Sequence, residues 1–215
     1  MITESLQRTL AWAMIGLAVV TALALRFVVA PYGRHTRGGW GPQIPDRLGW
    51  LLMESPSALG FAWVFFHGSH WREVPRLVLA SLWLLHYGHR TFVYPLRMKS
   101  QGKKMPLVIA LMAIGFNVLN VSVNATWIGS LGEYPDAWLS DPRFVVGVAM
   151  FVTGFVVNYD ADRRLFRLRA RSSGYSIPKG GLYRWVTCPN YLGELLEWSG
   201  WALASFSLGG LAFAL

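Results

Sequence analysis

Charge is scarce in this 215-residue chain, and cysteine is nearly absent. Only 14% of residues are charged against 53% hydrophobic, whereas a soluble domain carries about 25% charge. That balance excludes an ordinary soluble globule and points to a polytopic membrane protein. Eleven tryptophans agree with it, because indole rings collect at bilayer interfaces. The lone Cys188 excludes an internal disulfide and a cysteine-based metal cluster and is read as structural. No G-x-G-x-x-G or P-loop occurs, so neither a Rossmann domain nor a kinase-type site is supported. Repeats and low-complexity tracts are also missing. The pairs His67/His70 and His86/His89 are too few for the histidine boxes of a membrane di-iron enzyme, and no metal is expected. The net charge of +9 lies in short loops without any nucleic-acid motif, so no nucleic-acid partner is expected.

What the chain has in quantity is apolar sequence. Six runs, about 10–29, 48–66, 76–96, 107–128, 143–159 and 191–215, are long enough to cross about 30 Å of hydrocarbon at about 1.5 Å per residue. Loops one, three and five hold fourteen Lys and Arg residues. The N-terminus and loops two and four hold only Arg8, Arg72 and Arg76, and "GSLGEYPDAWLSDP" carries three acids. The positive-inside rule places the basic loops in the cytoplasm and the N-terminus outside, with an even span count putting Leu215 outside as well. The fold class expected is an all-α transmembrane helix bundle, residues 1–215 forming one integral-membrane domain. Short, compact loops suggest a bacterial inner membrane, or an ER membrane in a eukaryote.

Several polar side chains sit where lipid should forbid them. Glu54 lies in "LGWLLMESPSALGFAW", followed by Pro56, which frees a backbone carbonyl one turn earlier. A carboxyl there is either ionised against a partner or kept neutral by burial, and function outranks a structural ion pair. Tyr87, Arg90 and Tyr94 share a face at i, i+3 and i+7, flanked by His86 and His89. Two readings stand: an aromatic belt with Arg90 snorkelling to the cytoplasm, or Tyr87 as a hydrogen-bond donor deep in the bundle. Asn117, Asn120 and Asn124 form a stripe read first as interhelical glue and second as a ligand contact. Asn158, Asp162 and Arg169 return to one face near the end of the fifth span. They suit the amide, hydroxyl and phosphate groups of a nucleotide, and equally an ordinary solvated helix end. Loop five, 160–190, passes from "NYDADRRLFRLRARSS" to "GYSIPKGGLYRWVTCPN", too long and too punctuated to serve only as a connection. In "VTCPNYLGELLEW", steps of four and seven put Asn190, Glu194 and Glu197 within an arc of roughly 60°.

The stretch from "GYSIPKGGLYRWVTCPNYLGELLEW" to the last residue closely resembles the C-terminal region of the steroid 5α-reductases. "YGRHT" (32–36), "HYGHRTFVYP" (86–95), "EYPDAWLSDPRF" (133–144) and the spaced Asn158 and Asp162 resemble that family in the same order. The resemblance implies a seven-helix membrane enzyme that reduces the C4–C5 double bond of 3-oxo-Δ4 steroids with NADPH held in the cytoplasmic half of the bundle, loop five forming part of the cofactor site. It implies a steroid entering from the lipid, with membrane lipids the other contact and no obligate protein partner. Carried over by position, Glu54 and Tyr87 polarise the 3-oxo group, and Trp50 and Met53 line the substrate pocket. Tyr32, Asn120, Asn158, Asp162, Arg169, Tyr175, Asn190 and Glu194 contact the cofactor, Glu194 toward the nicotinamide. Glu197 is left to pair with a basic neighbour or cap the site. Met53 departs from a Gln common in the family, which removes a polar contact. The resemblance also implies a seventh helix and a His/Tyr-containing tail beyond residue 215.

Hydride delivery to C5 of an enone builds negative charge on the carbonyl oxygen, so donors held there stabilise the transition state. The enolate then takes a proton at C4, from water on this reading. Two other classes compete: an S-adenosylmethionine-dependent methyltransferase of the isoprenylcysteine carboxyl methyltransferase type, which would leave Glu54 and Tyr87 without a task, and a non-catalytic sterol-binding protein, which would tolerate loss of Glu54. A sterol reductase acting on a differently placed alkene is a milder variant.

Overall fold

The computed structural model describes residues 2–31, 35, 37–98, 102–171 and 176–215. Helix α1 (Glu4–Ala24) starts at Thr3, whose hydroxyl accepts from the Leu6 amide and satisfies a donor that the first turn leaves open. Along it only Gln7, Ala11 and Met14 are buried, an i, i+4, i+7 stripe facing the bundle. The Gln7 amide donates to the Val123 carbonyl at 3.3 Å, so its polar end is satisfied inside.

The next two rods are interrupted. Helix α2 (Asp46–Ser55) passes through a π-helical turn, Pro56–Gly60, into α3 (Phe61–Phe66). Helix α4 (Val74–Gly88) passes through another, His89–Val93, into α5 (Tyr94–Arg97). Pro56 has no N–H to offer Leu52, and the Ser55 hydroxyl takes that carbonyl at 3.0 Å. The Thr91 hydroxyl, in the second π turn, donates to the Glu54 carbonyl at 3.2 Å, which ties the two irregular turns together. Helix α6 (Leu107–Thr126) continues through a third π turn to Leu131. It is followed by α7 (Pro142–Arg171) and α8 (Pro189–Ser205). Three stretches, Glu4–Ala24, Leu107–Leu131 and Pro142–Arg171, are each long and apolar enough to cross a membrane. The chain is an all-α membrane bundle.

The loops meet in alternation. Strands β1 (Gln43–Pro45) and β2 (Lys104–Pro106) pair antiparallel, with Gln43 opposite Pro106, joining loops one and three. Loops two and four join at the other end, where the His70 amide donates to the Gly129 carbonyl at 3.0 Å. Arg76, 3% exposed, pins them: its guanidinium donates to Glu73, to the Ile128 carbonyl at 2.7 Å and to the Gly132 carbonyl at 2.6 Å.

Helices α7 and α8 touch backbone to backbone. A Cβ on Gly154 would lie 2.5 Å from the Glu197 nitrogen and the Gly193 oxygen, and one on Gly193 only 2.6 Å from the Asn158 nitrogen. Without a hydrophobic drive between helices in lipid, such close approach is how they associate. This seam brings Asn158 and Asp162 beside Asn190 and Glu194.

The expectation that 191–215 forms one span ending outside is corrected by a reversal at Phe206. Phe206 takes a left-handed backbone (φ 41°, ψ 48°) and is held under the Arg143 guanidinium at 4.3 Å. Ser207 then caps α9 (Leu208–Ala214) by accepting from the Gly210 amide at 2.9 Å. Helix α9 folds back along α8 and carries Phe213 to 4.5 Å from the Trp198 ring, into the bundle. Hydropathy could not show this break, because the residues on both sides of it are equally apolar.

Candidate functional site

A cavity of about 340 Å³ opens between α2, α4, α6, α8 and α9. Its apolar wall is Phe116, Trp198 and Phe213; its polar wall is Glu54, His86, Tyr87, Arg90, Asn117 and Glu194. The aromatic core behind it is stiff: Trp83 stacks on Phe61 at 4.7 Å and donates its indole N–H to the Ser57 carbonyl at 2.8 Å. Tyr87 sits 5.0 Å from Trp83 and 5.6 Å from Trp198, ring to ring, so its phenol is fixed by packing on both sides.

Arg90, carried by the second π turn, is the electrostatic centre. Its guanidinium lies over the rings of Trp50 at 4.6 Å and Tyr94 at 4.7 Å. Three carboxylates surround it, Glu194 at 3.4 Å, Glu54 at 3.8 Å and Asp162 at 4.0 Å. The snorkelling reading of Arg90 is thereby replaced: its side chain is 19% exposed and points into the acids rather than out to the loops. Two aromatic faces and three acids leave a guanidinium little reason to seek water.

On the α7–α8 side, the Asn158 amide donates to the Asn190 carbonyl at 3.0 Å and to Glu194 at 3.3 Å, while one Asp162 oxygen is buried without a hydrogen-bond partner. Of the residues singled out in the sequence, Glu54, Tyr87, Asn158, Asp162, Asn190 and Glu194 thus form one connected group. Arg169 is exposed two turns beyond Asp162 and within electrostatic reach of it. Trp50 forms the floor under Arg90 and not the cavity wall, and Met53 packs with Trp50 and Met105 while its carbonyl accepts from Asn117 at 2.6 Å. Asn120 is fully buried one turn below the cavity, accepting from Asn124 at 2.8 Å. Two members of the Asn stripe therefore act as glue, Asn117 to α2 and Asn124 to the Gly209 carbonyl at 3.4 Å. Tyr32 and Tyr175 lie outside the described residues.

Sequence reasoning assigned no site role to His86, Arg90, Trp198 or Phe213, and gave Asn117 one only as its second reading. The signal for Arg90 was present in its shared face with Tyr87 and Tyr94. Phe213 carried none, since only the reversal at Phe206 brings it to the cavity. Glu197, fully buried, bonds His86 Nδ1 at 2.7 Å, the basic neighbour expected for it.

The acceptors fit a dinucleotide: an unused carboxylate oxygen on Asp162 and the acid of Glu194, both beside Arg90, can accept from hydroxyl and amide groups. A helical membrane bundle that gathers an acid, a phenol and a clamped guanidinium around one cavity has the build of a membrane-embedded enzyme. Residues 103–215 match the family model for 3-oxo-5-alpha-steroid 4-dehydrogenase. The chain is 42% identical over 202 residues to the steroid 5-alpha-reductase of Arabidopsis thaliana, covering 91% of this chain and 77% of that protein. It is 40% identical over 186 residues to 3-oxo-5-alpha-steroid 4-dehydrogenase 1 of Homo sapiens, covering 85% and 71%. The chain belongs to the 3-oxo-5-alpha-steroid 4-dehydrogenase family.

Proposed function

We propose that this protein reduces the C4–C5 double bond of 3-oxo-Δ4 steroids of the testosterone and progesterone type to 5α-dihydro steroids, with NADPH as reductant. The observation that carries this reading is that Glu54 and Tyr87 share the polar wall of a cavity whose apolar wall is Phe116, Trp198 and Phe213. An apolar ring system fits the aromatic wall, and its single oxygen needs donors at one end. Tyr87 donates from its phenol, and Glu54 donates while it carries a proton. Both act on the oxygen where negative charge develops, which is where preorganised donors accelerate reaction most. NADPH, when bound, supplies the hydride to C5. Asn158, Asp162, Asn190 and Glu194 would hold it, with Asn120, Arg169, Tyr32 and Tyr175 as further contacts. Arg90 keeps Glu54 and Glu194 apart from each other and fixed, and the rings of Trp198 and Phe213 keep water out of the apolar end. Apolar faces exposed to lipid give the steroid its route in from the membrane.

The test is NADPH-dependent reduction of testosterone or progesterone in detergent or membranes, with Glu54→Gln and Tyr87→Phe beside wild type. Each change is expected to lower turnover by about 10²-fold, the scale of a lost oxyanion donor. Full activity in the double variant would overturn the assigned roles. Methyl transfer from S-adenosylmethionine, without NADPH oxidation, would overturn the reaction class.

A further inference from the structure

A fully buried carboxyl in a membrane helix calls for an explanation, and Glu197 has one oxygen on His86 Nδ1 at 2.7 Å and the other on no partner. A neutral glutamine or a leucine would tie α8 to α4 at less cost in lipid than an acid does. His86 belongs to the cavity wall beside Tyr87, with ring centroids 5.0 Å apart, and its ring is fixed by Trp198 at 4.6 Å. With Nδ1 engaged by Glu197, Nε2 is the nitrogen left to the cavity. The charged groups within reach are Arg90 and Glu194, with His89 next along the helix.

We propose that the His86–Glu197 pair supplies the proton that C4 of the substrate takes up, His86 as the donor and Glu197 as its positioning and recharging residue. This rests on the reductase reading of the cavity. Reduction of the enone consumes one hydride at C5 and one proton at C4, and the carbonyl donors are placed for the oxygen rather than for C4. The pair in its loaded state holds two protons, one shared between Glu197 Oε1 and His86 Nδ1 and one on Nε2. In the step, the Nε2–H bond breaks and a C4–H bond forms, directly or through one water. The proton between Oε1 and Nδ1 settles on Nδ1, leaving a neutral imidazole hydrogen-bonded to a carboxylate. The C4–C5 bond of the substrate is reduced, the dinucleotide is oxidised, and the pair regains one proton from water. The sequence pointed to water as the donor because nothing in it joins His86 to Glu197, which are 111 residues apart.

Glu197→Gln keeps an acceptor for Nδ1–H and removes the second proton. It is expected to lower single-turnover reduction by about 10²-fold, the usual worth of a positioned proton donor. Steroid KM, NADPH binding and thermal midpoint should stay close to wild type. In Glu197→Gln and His86→Gln the solvent deuterium isotope effect should rise while the effect of deuterated NADPH shrinks, because protonation becomes limiting. Imidazole should restore part of the turnover of His86→Gly. Independently of turnover, infrared difference spectra of the protein without substrate should show a protonated carboxyl band in wild type that Glu197→Gln lacks. Wild-type turnover in both variants would overturn the proposal. So would reduced turnover with a lower thermal midpoint, an unchanged isotope effect and no imidazole rescue, the outcome for a purely structural tie. If Glu197→Gln does not fold, Glu197→Asp is read in its place, and an isotope effect equal to wild type in that variant overturns the proposal. Absence of NADPH-dependent reduction by wild type is the separate failure of the reductase reading.

Discussion

Gly154→Ala tests whether the α7–α8 seam sets the geometry of the polar site. The added Cβ would lie 2.5 Å from the Glu197 nitrogen and the Gly193 oxygen, both backbone atoms that cannot rotate away. Restoring ordinary contact at about 3.5–4.0 Å requires the helices to part locally by about 1 Å. Asn158 lies one turn further along α7, and its bonds of 3.0 Å to the Asn190 carbonyl and 3.3 Å to Glu194 cross the same seam. An extra ångström takes both beyond hydrogen-bonding range. Overpacking costs about 1–3 kcal/mol, and the helix propensity of Ala returns up to about 1 kcal/mol, so the net loss of stability is roughly 0–2 kcal/mol. A misplacement of about 1 Å at a reacting centre costs about 10²-fold in rate. Turnover should therefore fall far more than stability. The measurements are the thermal midpoint in detergent and NADPH-dependent reduction of a 3-oxo-Δ4 steroid. Gly115→Ala on α6, whose Cβ would meet nothing within 4 Å, is the control for the propensity gain. Equal turnover in the two variants would refute the seam argument.

Arg90→Met leaves Glu54, Asp162 and Glu194 without their shared cation and should destabilise the protein by about 3–5 kcal/mol; a thermal midpoint within two degrees of wild type would count against the hub, and adding Glu194→Gln should recover part of the loss. Tyr134→Phe removes a hydroxyl that donates to the Ser205 carbonyl at 2.6 Å and accepts from Trp127 at 3.1 Å. A buried carbonyl and a half-buried indole lose their partner, so calorimetry should show a loss of about 1–3 kcal/mol. At the loop-four end, hydrogen bonding to the Arg143 guanidinium holds the Asp141 carboxyl down at about 2. A depressed carboxyl stabilises the fold above its unfolded value of about 4 and loses that contribution as pH falls toward 2. Asp141→Asn should accordingly flatten the acid limb of thermal midpoint against pH, and an unchanged limb would show that the pair contributes nothing.

The sequence made the polar residues visible as anomalies but said little about their partners. Glu54 and Glu194 stood out because lipid tolerates no unexplained charge, and Tyr87, Asn158 and Asp162 because they share helical faces with other polar residues; the structure brings all five together around Arg90. Loop charge gave the alternation of ends that the β1–β2 pairing and the Arg76 pin display. Arg90 was ambiguous for a physical reason. A helix-end arginine in lipid has two low-cost outcomes, water at the interface or a cage of acids and rings inside. Only the tertiary arrangement of Trp50, Glu54, Asp162 and Glu194 decides between them. The reversal at Phe206 was illegible because hydropathy sums apolar residues without regard to backbone handedness.

The division of labour between Glu194 and Glu197 shows where this limit lies. Both stand within one narrow arc of α8, three residues apart, and periodicity treats them alike. The seam separates them. Gly193 lies against the Asn158 nitrogen, which sets Glu194 beside the Asn158 amide and Arg90. One turn further, Gly154 lies against the Glu197 backbone, and the Glu197 side chain is directed to α4, where His86 waits at 2.7 Å. Two identical side chains thus meet different chemistry because two glycines fix the depth at which α7 and α8 touch. Had either glycine carried a methyl group, the helices would part, and Glu194 would lose its bonding distance to the Asn158 amide across the seam. The small residues of "NYLGELLEW" and "VTGFVVNYD" therefore specify the site as directly as the acids do.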